Sequence, residues 1–438
     1  MHSPKDVHHV AQKKPGPIRK SLTYSFIDGA FYSVMFGFGD TYLNPYAVAL
    51  KASEREIGLF SSLPSFIASL AQLKAPELTN KLGRKRTFII AVFLHALMWL
   101  PILLVPYLFK VNVIPWFIFF VILYNIFGTI SGPAWASIMT QYIPEKSRGK
   151  YFGFRNKSLG YVMLAASFAA GIILYLSGNN NLYGFTLIFA VAMLCRFASW
   201  YYLSKMYEPP LFVKNEPELT FKEFLFGEKE KKFRDFVIFS ALMSFSVMVA
   251  VPFFPAYMLR ELKFDYISYV IVNTAVMLFM FFSLSSWGKH ADKFGNITVL
   301  RVTSGIIPVL PVLWLLSDSK IFLFGVNALA GFAWAGFSLS TSNYIFDSAP
   351  EHKRVKFLAY FSLVNGIGLF LGPLAGGFLI PHLPEIDGSK FLTVFLLSGI
   401  TRFFVWIALS SRLKEIRNVS AIGHKDLLFS VLGYKPLV

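Results

Sequence analysis

The chain has 438 residues, of which 55% are hydrophobic and 17% aromatic but only 15% charged, and its formal net charge is +18. A soluble globular chain is about half apolar and about a quarter charged, so this one carries more apolar surface than it can hide from water within itself. A single cysteine, Cys195, excludes an intrachain disulfide framework, and the positive surplus leaves a choice between a nucleic-acid surface and asymmetrically charged membrane loops.

The opening stretch, Met1 to Lys20, is polar and basic and lacks an apolar core, so no signal peptide is expected and the first apolar stretch serves as the insertion signal. His8 and His9 are adjacent rather than a helical turn apart, which fits a solvated tail better than a metal site. Twelve apolar stretches follow, at roughly 22–48, 57–80, 87–109, 114–140, 152–177, 183–204, 235–259, 267–288, 297–317, 321–346, 357–381 and 391–411, each long enough to cross a bilayer. The organisation predicted is a basic tail (1–21), a six-helix bundle (22–204), a linker rich in Glu and Lys (205–234), a second six-helix bundle (235–412) and a second tail (413–438). With both termini in the cytoplasm, about 32 of the 42 Lys and Arg fall on that side and about 7 on the other, as a positive-inside topology requires. A nucleic-acid surface would need those bases on one water-facing side with aromatics to stack on, so no nucleic-acid partner is expected.

In the first span Gly29, Ser33, Gly37, Asp40 and Asn44 recur at helical spacing and predict a polar face turned to the bundle interior or to a wet cavity. Asp40 is the first candidate for a proton-coupling or substrate-cation site, because an unpaired charge in hydrocarbon is costly and burial favours the protonated carboxyl. A structural pairing with Lys74 on the second span or with a neighbouring hydroxyl is the competing role. Asp28, off that stripe, reads as an interfacial residue, and Pro45 and Pro255 mark equivalent points where the first and seventh spans bend. The neutral candidates are Asn44, Asn125 and Trp135 in the first half and Asn273, Trp334, Ser338, Thr341, Asn343 and Asn365 in the second, with helix-to-helix hydrogen bonding as the alternative role. Asn365, Gly368, Gly372 and Gly376 form a narrow face suited to close packing. Arg196 and Arg402, near the predicted cytoplasmic ends, read as snorkelling residues.

The two halves repeat. Asn80-Lys81-Leu82-Gly83 after the second span is echoed by Asp292-Lys293-Phe294-Gly295 after the eighth, and Pro144-Glu145-Lys146-Ser147-Arg148 by Pro350-Glu351-His352-Lys353-Arg354. Arg196-Phe197-x-x-Trp200 in the sixth span matches Arg402-Phe403-x-x-Trp406 in the twelfth, and the nearly constant offset marks a duplicated half.

These loops and the helix count resemble the major facilitator superfamily of secondary transporters, over essentially the whole chain from Ser21 to Arg412. The turn after the second span is similar to that family's G-x-L-x-D-R-x-G-R-R signature, although Pro76 stands for the usual Gly and Asn80 for the usual Asp. The resemblance implies an all-α polytopic fold of twelve transmembrane helices in two pseudo-symmetric six-helix bundles, with alternating access by rocking of the bundles. It implies a cavity lined by the first, fourth, seventh and tenth helices, which favours Trp135, Trp334 and Ser338. It also implies a cytoplasmic gating network of Asn80, Gly83, Arg84, Arg148, Asp292, Gly295 and Arg354.

No P-loop, no metal-ligand spacing and no nucleophile-base arrangement is present, so neither an enzyme nor a cofactor is expected. The function expected is secondary transport of a small organic solute by alternating access, with proton coupling at Asp40, by a monomer in the plasma membrane. Few buried charges argue against a polyanion and admit a drug-like compound, a sugar or another neutral metabolite. A transport-inactive receptor or a lipid-handling protein on the same scaffold is the alternative.

Overall fold

The computed structural model describes residues 16–178, 182–210, 231–348, 354–431 and 433. Most of the predicted basic tail with His8 and His9, the middle of the predicted linker (211–230) and Pro350 to Lys353 lie outside the described residues. Among those described there is no β-strand, only one bridge between Ile386 and Ser389. The chain divides into two compact units, Met1–Phe212 with Asp265–Val270, and Val213–Phe264 with Ile271–Val438.

In the first unit the spans are Gly16–Phe38 continued by Asp40–Ala49, Glu54–Gln72, Arg84–Leu108, Val113–Tyr142, Glu145–Ser177 and Leu182–Ser204. The first packs against the fifth and sixth, the second against the fourth, and the third against the fourth and sixth. The second span starts at a reciprocal cap, in which the Ser53 hydroxyl accepts from Glu56 N while the Glu56 carboxylate accepts from Ser53 N at 2.7 Å. A short helix, Ala75–Leu82, follows it and ends at Gly83, whose φ of 84° only glycine adopts without strain.

The first span breaks at Gly39, six residues before the expected bend at Pro45, which lies inside the Asp40–Ala49 helix. Position 39 has no room for a side chain, because the Trp99 ring fills the space where one would sit. Beyond the break Asp40 opens a new helix instead of lying within a continuous one.

The second unit repeats these pairings. Its spans are Lys231–Glu261, Tyr266–Phe294, Asn296–Leu313, Lys320–Ser348, Arg354–Leu379 and Lys390–Leu409, the seventh packing on the eleventh and twelfth and the ninth on the tenth and twelfth. The turn before the ninth span again uses a left-handed glycine, Gly295, with φ 91°. The seventh span loses regularity from Val249, passing through a 3-10 turn and a π turn (Tyr257–Glu261), so the bend predicted at Pro255 is the middle of a longer irregular stretch. The glycine face of the eleventh span packs as predicted: a Cβ at Gly372 would meet the Met248 Cβ and the Phe245 carbonyl, each at 2.6 Å. The C-terminal helix His424–Val431 folds back on this unit, with Leu427 fully buried in a cluster that includes Trp287, Ala291, Phe294 and Ala335. His290 Nε2 bonds Ser430 Oγ at 2.9 Å and Ser286 Oγ donates to the Val431 carbonyl at 3.1 Å, fixing that helix.

Among the described residues ten helices are long and apolar enough to cross a membrane, by length and composition. The first two spans fall below that mark because Asp28, Asp40 and several Ser and Tyr interrupt the first, and the second, 19 residues long, starts on Glu54, Arg55 and Glu56. Both carboxylates of the first span turn inward, into the bundle.

Candidate functional site

A cavity of about 480 Å³ lies within the first unit, lined from five of its spans. The first span contributes Asp28, Tyr32 and Asp40, the third His95, the fourth Tyr124, Asn125 and Trp135, the fifth Arg155 and the sixth Arg196.

One connected set of side chains joins the two carboxylates. Asp28 Oδ1 accepts from Ser199 Oγ at 2.6 Å, and Ser199 Oγ accepts from Arg196 Nη1 at 2.9 Å. Arg196 Nε donates to His95 Nδ1 at 2.9 Å, which places the His95 proton on Nε2. The His95 ring stacks on Tyr124 with centroids 3.9 Å apart, and the Tyr124 hydroxyl donates to Asp40 Oδ2 at 2.8 Å. Arg196 also sits over the Tyr32 ring, 4.9 Å from its centroid. Arg155 closes the other end: Nη2 donates to the Ser25 carbonyl at 3.0 Å, stands 3.9 Å from Asp28 Oδ2, and the guanidinium lies 5.1 Å from the Trp135 centroid. Gly128 lets His95 approach the fourth span, since a Cβ there would meet His95 Cδ2 at 2.9 Å.

Several expectations are corrected here. Arg196 does not snorkel; it is 5% exposed, because His95, Ser199 and Tyr32 satisfy it inside the bundle. Arg402 is likewise buried, held by Ser398 Oγ and the carbonyls of Ile307 and Val247. Asp28 is not interfacial but 6% exposed and bonded as above. Of the two structural partners expected for Asp40, a hydroxyl is present, that of Tyr124, and Lys74 is not: its side chain is 77% exposed and faces Glu77 at 3.6 Å. The first-span stripe divides: Gly29 and Asp40 line the cavity, while Gly37 packs on the fifth span, where a Cβ would meet the Ala166 Cβ at 2.7 Å. Buried charge is not scarce either, since two guanidinium and two carboxylate groups share this one cavity.

Of the neutral candidates, Asn125 and Trp135 reach the cavity, although the Asn125 amide also donates to the Val121 carbonyl of its own helix at 2.9 Å. Asn44 lies a turn beyond Asp40 and is half-buried. The rest belong to the second unit. Asn365 accepts from Ser244 Oγ at 2.7 Å, Asn273 Nδ2 approaches Met258 Sδ at 3.9 Å, and Trp334 packs edge-on to Phe337. Ser338 and Thr341 are half-buried on the tenth span, and Asn343 donates to Asn296 Oδ1 at 3.3 Å.

Two of the expected gating residues, Arg84 and Asp292, belong to similar clusters, one in each unit. Arg84, 3% exposed, donates to Ser137 Oγ and Gln141 Oε1, both at 3.2 Å, and to the Pro209 carbonyl, and lies 3.6 Å from Glu208. Glu208 Oε1 also accepts from Lys85 N at 3.3 Å, so a carboxylate from beyond the sixth span caps the third. In the second unit Glu415, beyond the twelfth span, accepts from Ile297 N at 2.9 Å and caps the ninth. Asp292 meets Arg417 at 4.0 Å, and Arg417 lies 3.2 Å from Asp347, which accepts from Asn296 at 2.8 Å. Asn80 is exposed; Arg148 bonds the carbonyls of Ile143 and Thr140 within its own turn; Arg354 opens the eleventh span, and its side chain lies outside the described residues.

Sequence reasoning passed over Asp28, His95, Tyr124, Arg155 and Arg196 as site residues. The signal for His95 was there: an ionisable residue in the middle of an apolar span is a functional candidate by default.

The family profile described as Major Facilitator Superfamily matches residues 26–307 and 236–430. The chain belongs to that superfamily. It is 24% identical over 393 residues to an uncharacterized MFS-type transporter of Methanocaldococcus jannaschii, covering 87% of this chain and 96% of the relative. It is 26% identical over 279 residues to a putative proline/betaine transporter of Staphylococcus aureus, covering 60% of this chain and 58% of that one. Its fold is similar to the crystal structure of a mutant form of the nucleoside transporter NupG, at TM-score 0.70 and 14% identity over 90% of this chain and 100% of that one. A bacterial homologue of the iron transporter ferroportin in an inward-facing state gives TM-score 0.66 at 14% identity over 94% of this chain and 100% of that chain. The protein is thus a multi-pass membrane transporter of the major facilitator superfamily, built on its twelve-helix fold and acting on a small-molecule solute.

Proposed function

We propose that this major facilitator protein is a proton-coupled secondary transporter of a small organic solute, working by alternating access in the plasma membrane, with Asp40 as the proton-carrying group. The observation that carries the reading is the contact between Asp40 Oδ2 and the Tyr124 hydroxyl, inside a cavity where His95 and Arg196 extend the network to Asp28. A carboxyl group at the start of a half-helix, reached by one phenol and, among the described residues, by no ion pair, changes its charge at modest cost to its surroundings, as a coupling site must. The shared scaffold does not demand it: Asp40 and Ala250 occupy matching places where the first and seventh spans lose regularity, and Ala250 is fully buried and apolar. Proline, betaine and nucleosides, the solutes named for the relatives, share small size and hydrogen-bonding groups, which suits a polar cavity of about 480 Å³. The Arg84–Glu208 and Glu415–Ile297 clusters serve as the two gating ends in this reading, and one chain is the working unit.

The test is uptake into reconstituted vesicles across a solute panel, with and without an imposed pH gradient. Asp40→Asn is expected to remove gradient-driven accumulation, by at least about tenfold, while leaving solute exchange in place. Accumulation that persists unchanged in that variant rejects Asp40 as the coupling group.

A further inference from the structure

We propose that Arg155 and Trp135 form the seat for a single carboxylate carried by the transported solute, an inference that rests on the transport reading above. Arg155 Nε and Trp135 Nε1 are buried donors with no acceptor among the described residues, although both side chains line the cavity. Buried donors are nearly always paired in folded proteins, and a guanidinium left one bond short is the more costly omission. Arg155 is also incompletely neutralised: its only carboxylate among the described residues, Asp28, stands 3.9 Å away and takes a shorter bond from Ser199. The Arg155 guanidinium lies over the Trp135 ring, an arrangement that fixes its plane, and a fixed planar fork is the donor geometry that suits a carboxylate.

Charge counting points the same way and adds stoichiometry. The cavity holds Arg155 and Arg196 against Asp28 and Asp40, with Tyr32, His95 and Tyr124 lining it from the first, third and fourth spans. When Asp40 carries a proton, one positive charge remains uncompensated, and one negative charge on the solute restores balance. A dianion would overshoot and an uncharged solute would leave the excess buried, so the site suits a proton and a monocarboxylate entering together. The duplicated scaffold does not require this seat. At the offset that pairs Arg148 with Arg354, Arg155 corresponds to Phe361, which stacks on Phe236 in an apolar cluster.

The experiment is thermal unfolding of the purified full-length protein in detergent, titrated with benzoate and acetate and, as uncharged shape controls, benzamide and acetamide, at constant ionic strength. A saturable rise in the unfolding temperature with a carboxylate and none with its amide is expected. Arg155→Lys, which keeps the cation beside Asp28, should weaken the response on the order of tenfold, and Trp135→Phe, which keeps an aromatic ring and deletes the N–H, should weaken it less. Amides as effective as carboxylates, or no carboxylate response at all, overturns the seat; so does an unaltered response in both variants. If Arg155→Lys does not fold, Trp135→Phe decides alone. Vesicle flux separates the two levels: pH-driven uptake of an uncharged solute without carboxylate binding removes the seat and leaves the transport reading. Carboxylate binding with no flux of any solute does the reverse.

Discussion

Arg196 and Arg402 occupy equivalent places on the sixth and twelfth spans, and both are buried, yet their surroundings differ in kind. Arg196 bonds the side chains of His95 and Ser199 and through Ser199 reaches a carboxylate. Arg402 bonds one hydroxyl and the main-chain carbonyls of Ile307 and Val247. At the offset that pairs the two glycine turns, Gly83 with Gly295, His95 corresponds to Ile307, so one half presents an imidazole where the other presents its backbone. The duplicated frame thus has a common anchoring arginine; only the first half has built a titratable, cavity-facing network on it. The arginine itself is architecture, and its partners mark the specialised half.

Substitutions test this contrast between the halves. The largest expected effect is from Arg196→Met, which leaves His95 without its donor and takes the cation away from behind the Ser199 that bonds Asp28, and should destabilise by about 3–5 kcal/mol. Arg402→Met leaves only neutral acceptors behind and should cost about 1–3 kcal/mol. Melting temperatures of the two purified variants, compared with the parent, give the ordering, and equal losses would mean that the carboxylate end of the network adds nothing. Next comes His95→Ile, which copies the second half into the first. It removes the acceptor of Arg196 Nε and the ring stacked on Tyr124, and about 1–3 kcal/mol is expected, together with a loss of pH-driven uptake. Uptake at the parental rate in a stable His95→Ile protein would show the imidazole to be a packing residue. Smallest are the two helix caps. Glu208→Gln should cost more than Glu415→Gln, because besides its longer cap bond of 3.3 Å its carboxylate lies 3.6 Å from the buried Arg84. Glu415→Gln should cost about 0.3–1 kcal/mol. A reversed order in thermal scans would contradict the pairing of Glu208 with Arg84.

The helices and their duplication were legible in the chain because bilayer-length apolar runs and left-handed glycine turns are local patterns: Gly83 and Gly295 announce themselves from their neighbours alone. Asp40 was legible for the same reason, as a lone carboxyl in an apolar run. What a single span cannot state is which side chain of another span meets it. Arg155 looked like one more basic residue after a loop, and only the packing of the first span against the fifth shows it buried beside Asp28. Arg196 and Asp28 were placed at the membrane surface because each lies toward a helix end, while their mutual burial depends on Ser199 lying between them. The need for glycine at position 39 was missed because the Trp99 ring that occupies its side-chain space comes from the third span.

The docked His424–Val431 helix has a practical consequence for anyone handling the protein. A shortened version ending at the last span would strip the cover from Trp287, Ala291 and Phe294 and present a greasy, detergent-hungry face, whereas a reporter appended after that helix leaves the cover in place.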